Sequence, residues 1–489
     1  MKAKRQEGSI LMKKEYALNP FLPEFEYIPD GEPHVFDGRV YLYGSHDRAH
    51  GNKFCMNDYV CYSADCNDLK NWRYEGVIYK RMEDQRFHEK YCEMWAPDVV
   101  RGYDGRFYLY YTPSEIKGIG VAVCDTPAGT YKFHGIVHNQ DGSLPVMDFD
   151  PAAFADDDGT IYLYAGGGPR VLEEGGEVNG RGAYAYVLDK DMLTIKKASK
   201  LNVAILGESE GTAYEGHELF EASSMRKIRG KYYYIYSSCM LHELCYAVSD
   251  RPDGGFEYGG VIISNIELME DGPDDQIAKN TIGNNHGSIE CINGEYYIFY
   301  HRHTNGTMLS RQACAERIEI AEDGKIRQAR LSSCGLNGGP LPGSGTYPAF
   351  CACLLYGKHP HQICFGDIER RLQPYLTQEE PDFDMEDVQG AKTLPRQYIK
   401  NMQDGMHAVF REFKLQGLKK IQVTVRGTAA GYLHVLAGEN GNPICSVEIK
   451  PAQEWTVFET AAAIKDGVYA LDFSYQGDGA LELLEFTLI

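Results

Sequence analysis

The chain has 489 residues, of which 43% are hydrophobic and 24% are charged, and its formal net charge at pH 7 is -21. Single hydrophobic cores stop growing at about 250 to 300 residues, so we expect one large and one small domain. Nucleic acids and anionic membranes are bound through clustered Lys and Arg, and the acidic balance therefore argues against both partners, whereas a neutral ligand remains compatible with it.

Among the Gly-x-x-Tyr segments of the first 300 residues, five form a repeat: Gly38–Tyr41, Gly105–Tyr108, Gly159–Tyr162, Gly230–Tyr233 and Gly294–Tyr297. Each copy follows an apolar stretch and precedes an alternating aromatic and aliphatic run, which predicts a β-hairpin with Gly at a turn position of positive φ. The spacings of 67, 54, 71 and 64 residues between these Gly suit four-stranded blades. The sequence therefore predicts an all-β chain that begins with a five-bladed β-propeller over residues 15–330.

The repeat also aligns one residue at the entrance to each predicted blade. Eight or nine residues before the five Gly stand Asp30, Ala96, Asp150, Glu221 and His286. In a propeller the innermost strands surround a central axis, so side chains at equivalent positions face one pocket. Three carboxylates and a histidine are thus predicted to converge.

Two acidic residues compete for the key position of the first blade. Asp30 lies eight residues before its repeat Gly, as His286 does in the fifth blade, whereas Glu32 lies only six before. The spacing favours Asp30, although an Asp beside Gly and Pro commonly caps a turn. Glu32 stays as the alternative, and it is otherwise expected to contact the ligand that the pocket binds.

Four further residues are candidates for the pocket. Trp95 suits either the core or the apolar face of a sugar. Glu221 stands among apolar and small residues, where burial raises the pKa of a carboxyl as a proton donor requires. His286 is expected to be a support, or a ligand for water or a cation. Arg311 begins another strand and would hold a neighbouring carboxylate ionised.

The last part of the chain is predicted to form a second domain. Residues 331–373 are irregular and Gly- and Pro-rich, which predicts a connector. From 374 to 489 short alternating strands follow one another between Gly-rich turns, which predicts a β-sandwich. Its only tryptophan is Trp455, so we expect it to pack against the propeller and stabilise it.

The 14 Cys residues lack paired spacing, and many lie in strand-like runs. We expect them to be reduced, small, buried hydrophobes. No apolar stretch approaches the about 20 residues that span a bilayer, and the N-terminus lacks an apolar signal region. The sequence therefore predicts a cytoplasmic protein.

The blade entrances IPDGEPHVF, WAPDV, DFDPAAF, FEASSM and NNHGS resemble those of glycoside hydrolase family 43 over roughly residues 19–330. The resemblance implies that Asp30 is the general base, Asp150 a pKa modulator and orienter, and Glu221 the general acid, with His286 and Arg311 as pocket supports. The family usually has Asp-Pro at the base position, whereas this chain has Asp30-Gly31 followed by Glu32-Pro33. The last 115 residues or so resemble a family 6 carbohydrate-binding module.

The expected activity is inverting, exo-acting glycoside hydrolysis, with terminal α-L-arabinofuranosyl or β-D-xylosyl units of plant-derived oligosaccharides as the substrates that the resemblance implies. Inversion needs a base and an acid about 6.5 to 9.5 Å apart, so that a water fits between base and sugar. Asp150 would keep the proton on Glu221, and Arg311 would keep Asp150 ionised.

Two alternatives stay open, a carbohydrate-binding propeller without catalysis and a transglycosylase or phosphorylase that uses the same pocket. No cofactor is expected for the reaction. A calcium ion near His286 or in the sandwich would be structural rather than chemical.

Overall fold

The computed structural model describes residues 10–11, 14–169, 181–273, 275–380, 382–388, 391–438 and 441–489. These residues form seven sheets, five in the N-terminal part and two in the C-terminal part. The all-β prediction and the five-bladed propeller are confirmed. Helical structure in the described part is limited to short turns: α1 (Arg86–Glu89), α2 (Ile368–Leu372) and the 3-10 turns Arg81–Glu83, Gly335–Asn337 and Ala349–Cys351. No helix among the described residues is long and apolar enough to cross a membrane.

The five propeller blades follow one another in chain order. Blade 1 contains β1 (Ile10–Leu11), β2 (Glu32–Phe36), β3 (Arg39–Tyr43), β4 (Tyr59–Asp65) and β5 (Asp68–Tyr79). Blade 2 contains β6 (Met94–Arg101), β7 (Phe107–Pro113), β8 (Gly120–Cys124) and β9 (Lys132–Ile136). Blade 3 contains β10 (His138–Asn139), β11 (Ala152–Ala155), β12 (Ile161–Gly167), β13 (Gly182–Leu188) and β14 (Thr194–Lys200).

Blade 4 contains β15 (Leu219–Ile228), β16 (Lys231–Ser238), β17 (Glu243–Ser249) and β18 (Glu257–Ser264). Blade 5 contains β19 (Ile289–Ile292), β20 (Glu295–His303) and β21 (Arg311–Ile318). The inner strands are β2, β6, β11, β15 and β19, and β19 lies beside β2, which closes the ring. The Gly of the five repeats have φ between +78° and +86° in the turns after these strands, as predicted.

The sandwich consists of two six-stranded sheets. One has the order β22-β27-β32-β29-β30, with β24 also on β27, and comprises β22 (Leu341–Pro342), β24 (Leu354–Tyr356), β27 (His407–Leu415), β29 (Ala430–Ala437), β30 (Pro443–Ile449) and β32 (Gly467–Asp478). The other has the order β25-β26-β33-β28-β31, with β23 on β33, and comprises β23 (Gly345–Pro348), β25 (Tyr375–Gln378), β26 (Gln397–Met402), β28 (Lys420–Gly427), β31 (Ala452–Ala461) and β33 (Leu481–Leu488).

The segment expected to be a connector, 331–373, is more than a connector. Three of its strands join the sandwich: β22 and β24 pair with β27, and β23 pairs with β33. These strands are two to four residues long, too short to show alternation in the sequence. A buried ion pair also joins the domains, because Arg411 of β27 donates to the carboxylate of Glu267, in the loop after β18.

Candidate active site

The inner strands end around a pocket of about 540 Å³ at the propeller axis. All three predicted catalytic carboxylates line it, as do Trp95, His286 and Arg311, and the remaining wall is largely aromatic and aliphatic: Phe54, Phe149, Phe220, Leu241, Met308, Ile363 and Phe365. The convergence expected from the repeat is therefore present.

A left-handed residue before the inner strand brings two of the carboxylates to the pocket. Asp30, Ala96 and Asp150 have φ of +55°, +41° and +47°. Asp30 and Asp150 lie two residues before β2 and β11 begin, whereas Ala96 lies inside β6, between Trp95 and Asp98, where the register shifts. The ladder registers agree, because Glu32, Asp98 and Ala152 each face the residue five positions after the repeat Gly. Blades 1, 2 and 3 thus present structurally equivalent residues.

Glu221 does not share that position. In blade 4 Ser224 faces Ile235, five positions after Gly230, so the equivalent residue is Ala222, whose φ is +68°. The register of β15 shifts on both sides of Glu221. Such a bulge inserts a residue and re-aims a side chain, which explains how Glu221 reaches the pocket from one position earlier. The predicted shared position is wrong by one residue, although the carboxylate lines the pocket.

The carboxylate of Asp30 is held from blade 5. Arg311 Nη1 donates to Asp30 Oδ1 at 2.8 Å, and the Asp30 backbone N–H donates to His301 Nδ1 at 3.3 Å. Arg311 also donates through Nε to Asp47 Oδ2 at 2.8 Å. Burial opposes the charge of the guanidinium, yet these two carboxylates raise the pKa of Arg311. Arg311 was expected to hold Asp150 ionised. The ion pairs described above join it to Asp30 and Asp47.

Asp150 and Glu221 are tied to the next blade in the ring. The N–H of Ala222 donates to Asp150 Oδ2 at 2.8 Å, which places Asp150 against the residue that follows Glu221. Glu221 Oε1 in turn accepts a hydrogen bond from Asn284 Nδ2 at 3.1 Å. Asn284 is itself fixed, since its carbonyl oxygen lies 2.9 Å from His301 Nε2.

Asn284 is a pocket residue that the sequence did not predict. It lies in the NNHGS entrance of blade 5, two residues before His286. The available signal was its place in that motif, but an Asn in a loop is commonly a turn residue.

Glu32 lies outside the pocket wall. Its side chain is buried and Oε2 accepts hydrogen bonds from Arg226 Nη2 at 3.0 Å and Ser224 Oγ at 3.1 Å. Burial raises the pKa of Glu32 to about 8. Asp30 lines the pocket, whereas Glu32 is not among the lining residues. Glu32 is therefore placed away from the pocket surface, and the substrate contact expected for it is replaced by these protein contacts.

His286 stands between the carboxylates. Its Nδ1 lies 4.0 Å from Asp30 Oδ1 and 3.9 Å from Asp150 Oδ2, and its Nε2 lies 3.9 Å from Glu32 Oε1. Burial lowers the pKa of His286, although Asp30 opposes this shift, so the imidazole is neutral at pH 7. Glu32 Oε1 has no hydrogen-bond partner among the described residues.

Aromatic rings complete the pocket. Trp95 meets Phe149 edge to face, with ring centroids 5.9 Å apart, and its buried indole Nε1 has no hydrogen-bond partner among the described residues. On the other side the guanidinium of Arg311 lies 4.7 Å from the Phe54 ring centroid. Of the two roles considered for Trp95, the structure gives it a place in the pocket wall. Flat apolar faces beside carboxylates suit a neutral sugar.

The profile of the family "Glycosyl hydrolases family 43" matches residues 17–326. A xylosidase/arabinosidase of Thermoclostridium stercorarium is 45% identical over 488 residues, which is 98% of this chain and 99% of that protein. A beta-xylosidase of Xylanibacter ruminicola is 31% identical over 62% of this chain and 97% of that protein.

Solved structures also resemble the chain. A family 43 beta-xylosidase/alpha-arabinofuranosidase from a compost microbial metagenome, in complex with xylotriose, is 28% identical with a TM-score of 0.51, over 65% of this chain and 98% of that one. An arabinoxylan arabinofuranohydrolase from Bacillus subtilis, in complex with cellotetraose, is 23% identical with a TM-score of 0.51, over 96% of both chains. The latter shares the fold over both domains.

Proposed function

The chain belongs to glycosyl hydrolase family 43, and from that premise we propose that it is an inverting, exo-acting glycosidase that removes terminal α-L-arabinofuranosyl and/or β-D-xylosyl residues from plant-derived oligosaccharides. The observation that carries the proposal is the convergence of Asp30 from blade 1 and Glu221 from blade 4 on one axial pocket. Two carboxyl groups on separate blades can face a sugar from both sides, as inversion requires.

Asp30 is assigned as the general base. Its carboxylate lies in the pocket wall with Arg311 fixing its orientation at 2.8 Å, so one oxygen can take the proton of a water that attacks the anomeric carbon. Glu32 is held by Arg226 and Ser224 and does not line the pocket, which argues against this role.

Glu221 is assigned as the general acid. Only 7% of the residue is exposed, and the amide of Asn284 positions its carboxyl group. The proton moves from Glu221 to the glycosidic oxygen as the bond to the leaving sugar breaks, and attack of water from the opposite face inverts the anomeric centre. Asp150, bound to the backbone of Ala222, orients this part of β15.

The test is release of nitrophenol from a panel of aryl glycosides led by the α-L-arabinofuranoside and the β-D-xyloside, alongside Glu221→Ala. Turnover by the parent that disappears in the variant supports the proposal and ranks the pentoses. Sugar-dependent shifts of the melting temperature without any product would favour the binding-only alternative. A sugar phosphate formed only in phosphate buffer would identify a phosphorylase.

A structural cation on the axis and a cytoplasmic location belong to the same proposal. Two observations support a cation: the unpartnered Glu32 Oε1 lies 3.9 Å from His286 Nε2, and Glu32, His34 and Asp98 have ligand atoms within 4.8 Å of one another, with His34 Nε2 hydrogen-bonded to Asp98 Oδ1 at 2.6 Å. A lower melting temperature in EDTA that is restored by calcium would support the cation.

The proposed cytoplasmic location has its own test. Enzyme found in the culture medium of intact source cells would contradict it.

A further inference from the structure

The chain segment 359–373, here called the rim segment, leaves the sandwich strand β24 and returns to the mouth of the pocket. Two of its residues, Ile363 and Phe365, line the pocket, and they are 54% and 60% exposed. Large apolar side chains with this exposure, at the edge of a pocket whose floor carries carboxylates, indicate a binding surface. The rim segment lies outside residues 17–326, which the family profile matches.

The rim segment is anchored at several points. His361, which is 6% exposed, contacts Glu369 Oε2 through Nδ1 at 2.6 Å and the carbonyl oxygen of Leu355 through Nε2 at 2.9 Å. The carbonyl oxygen of Cys364, between the two pocket residues, accepts a hydrogen bond from the N–H of Met308 at 2.9 Å. Ile363 and Phe365 are therefore held in place by buried contacts on both sides.

The rim segment also continues the aromatic wall of the propeller. The ring of Phe365 meets that of Phe54 edge to face, with centroids 6.2 Å apart and an interplanar angle of 82°. The ring of Phe54 in turn lies against the guanidinium of Arg311, which holds Asp30. An apolar surface thus runs from the catalytic floor to the mouth.

Resting on the proposed function, we propose that Ile363 and Phe365 form the binding surface for the leaving-group sugar, the residue next to the pentose that is removed. A terminal pentose seated on the axial carboxylates directs its leaving group toward the mouth, where these side chains lie. The C–H face of a neutral sugar ring stacks on an aromatic side chain without needing a charge. The second domain therefore completes the substrate site of the first.

The test compares two substrates of the same pentose, a disaccharide and the methyl glycoside, whose leaving group does not reach the rim. Phe365→Ala is expected to lower kcat/KM for the disaccharide about tenfold, mainly through KM, because a packed apolar contact is lost. The methyl glycoside should change by less than about twofold. Ile363→Ala should give a smaller loss of the same kind, and Phe365→Trp should restore most of the disaccharide activity.

The matched control is Ile368→Ala, since Ile368 is 53% exposed in the same segment but does not line the pocket. Equal losses on both substrates, or no loss on either, would overturn the role in leaving-group binding while leaving the proposed function intact. A parent enzyme that cleaved neither substrate would overturn the proposed function, and this inference with it. Melting temperatures of all variants within a few degrees of the parent would exclude misfolding as the cause of a loss.

Discussion

The propeller and the sandwich are built from the same kind of antiparallel strand, yet they bury different side chains. The sandwich interior is apolar, with Phe410, Phe473 and Phe486 packed ring against ring at centroid distances of 4.7 to 5.2 Å. The propeller axis instead buries charged groups, among them Asp30 and Arg311. Two sheets that pack face to face leave no space between them, whereas five sheets around an axis leave a channel that polar groups occupy.

The buried polar groups of the axis also connect each blade to the next. The N–H of Ala96 donates to Ser45 Oγ at 2.9 Å, and that of Ala153 donates to Asp98 Oδ2 at 2.7 Å, linking blade 1 to 2 and blade 2 to 3. The bonds of Asp150, Glu221 and Asp30 link blades 3 to 4, 4 to 5 and 5 to 1. The proposed catalytic groups therefore also hold the ring together, which has no counterpart in the apolar core of the sandwich.

The largest difference between the regions is expected in catalysis. Asp30→Asn and Glu221→Gln should each lower kcat by about 10² to 10⁴-fold, because general acid–base catalysis contributes that much. Glu32→Gln should keep a substantial part of the activity. Asp472→Asn removes a carboxylate that is equally buried but lies in the sandwich, and it should leave kcat unchanged. A Glu32→Gln variant that is inactive, beside an active Asp30→Asn variant, would move the base to Glu32.

Arg311→Met should destabilise the propeller strongly. The substitution leaves Asp30 and Asp47 buried without their counter-charge, which costs about 3 to 5 kcal/mol, and it also removes activity. Phe473→Ala in the sandwich is expected to cost about as much through the cavity it leaves, with kcat of the folded enzyme retained. Calorimetry together with kinetics at 25 °C separates the two outcomes. Full activity in Arg311→Met would contradict the function of the guanidinium in positioning Asp30.

The pH dependence of stability should also differ between the regions. Burial raises the pKa of Glu26, Glu32 and Glu316, all in the propeller, to about 8. Folding then favours their protonated forms, so their stabilising contribution is complete below the unfolded pKa of about 4.3 and is lost as the pH rises through about 8. The melting temperature of the propeller should fall between pH 5 and 9.

The matched variant is Glu26→Gln, which is neutral at every pH and should therefore give a shallower fall. In the sandwich the exposed carboxylates of Asp404 and Glu459 have lowered pKa values, because Lys358 and Lys420 donate hydrogen bonds to them. Their contribution is lost only as the pH falls toward their own low pKa values, so the sandwich transition should be flat over the same range. If the melting temperatures of Glu26→Gln and the parent fell equally steeply with pH, Glu26 would not contribute to this pH dependence.

The smallest effect is expected at Trp455. Its ring lies 4.3 Å from the guanidinium of Arg426 and meets Tyr398 edge to face. Trp455→Ala should cost about 0.5 to 1 kcal/mol of stability, as exposed cation–π contacts do, and should leave kcat/KM unchanged. Reduced retention of the variant on insoluble xylan would instead give the sandwich a function in polysaccharide binding.

The sequence predicted the propeller because its turns repeat. Gly at a turn with positive φ followed by a strand is a local pattern, and five copies gave five hairpins in the structure. The position of Asp30 and Asp150 followed from counting, since their blades keep the same register. The count from the repeat Gly is wrong by one residue for Glu221, because the bulge in β15 adds a residue and no local sequence pattern indicates it.

Contacts between distant segments were beyond prediction. That Arg311 lies on Asp30 and Asp47, and that Asn284 holds Glu221, depends on how the blades meet. The rim segment belongs to the predicted connector, because its Pro, Gly and polar residues show no periodicity. Only the closed ring and the returning chain bring Phe365 to the pocket mouth.

The most direct test of the central claim, that Glu221 is the proton donor of an axial carboxylate pair, is the dependence of Glu221→Ala on the leaving group. A 2,4-dinitrophenyl pentoside needs no proton on its departing oxygen, whereas a disaccharide does. The variant should keep most of the parental kcat on the activated substrate and lose about 10² to 10⁴-fold on the disaccharide. Equal losses on both substrates would show that Glu221 is not the acid.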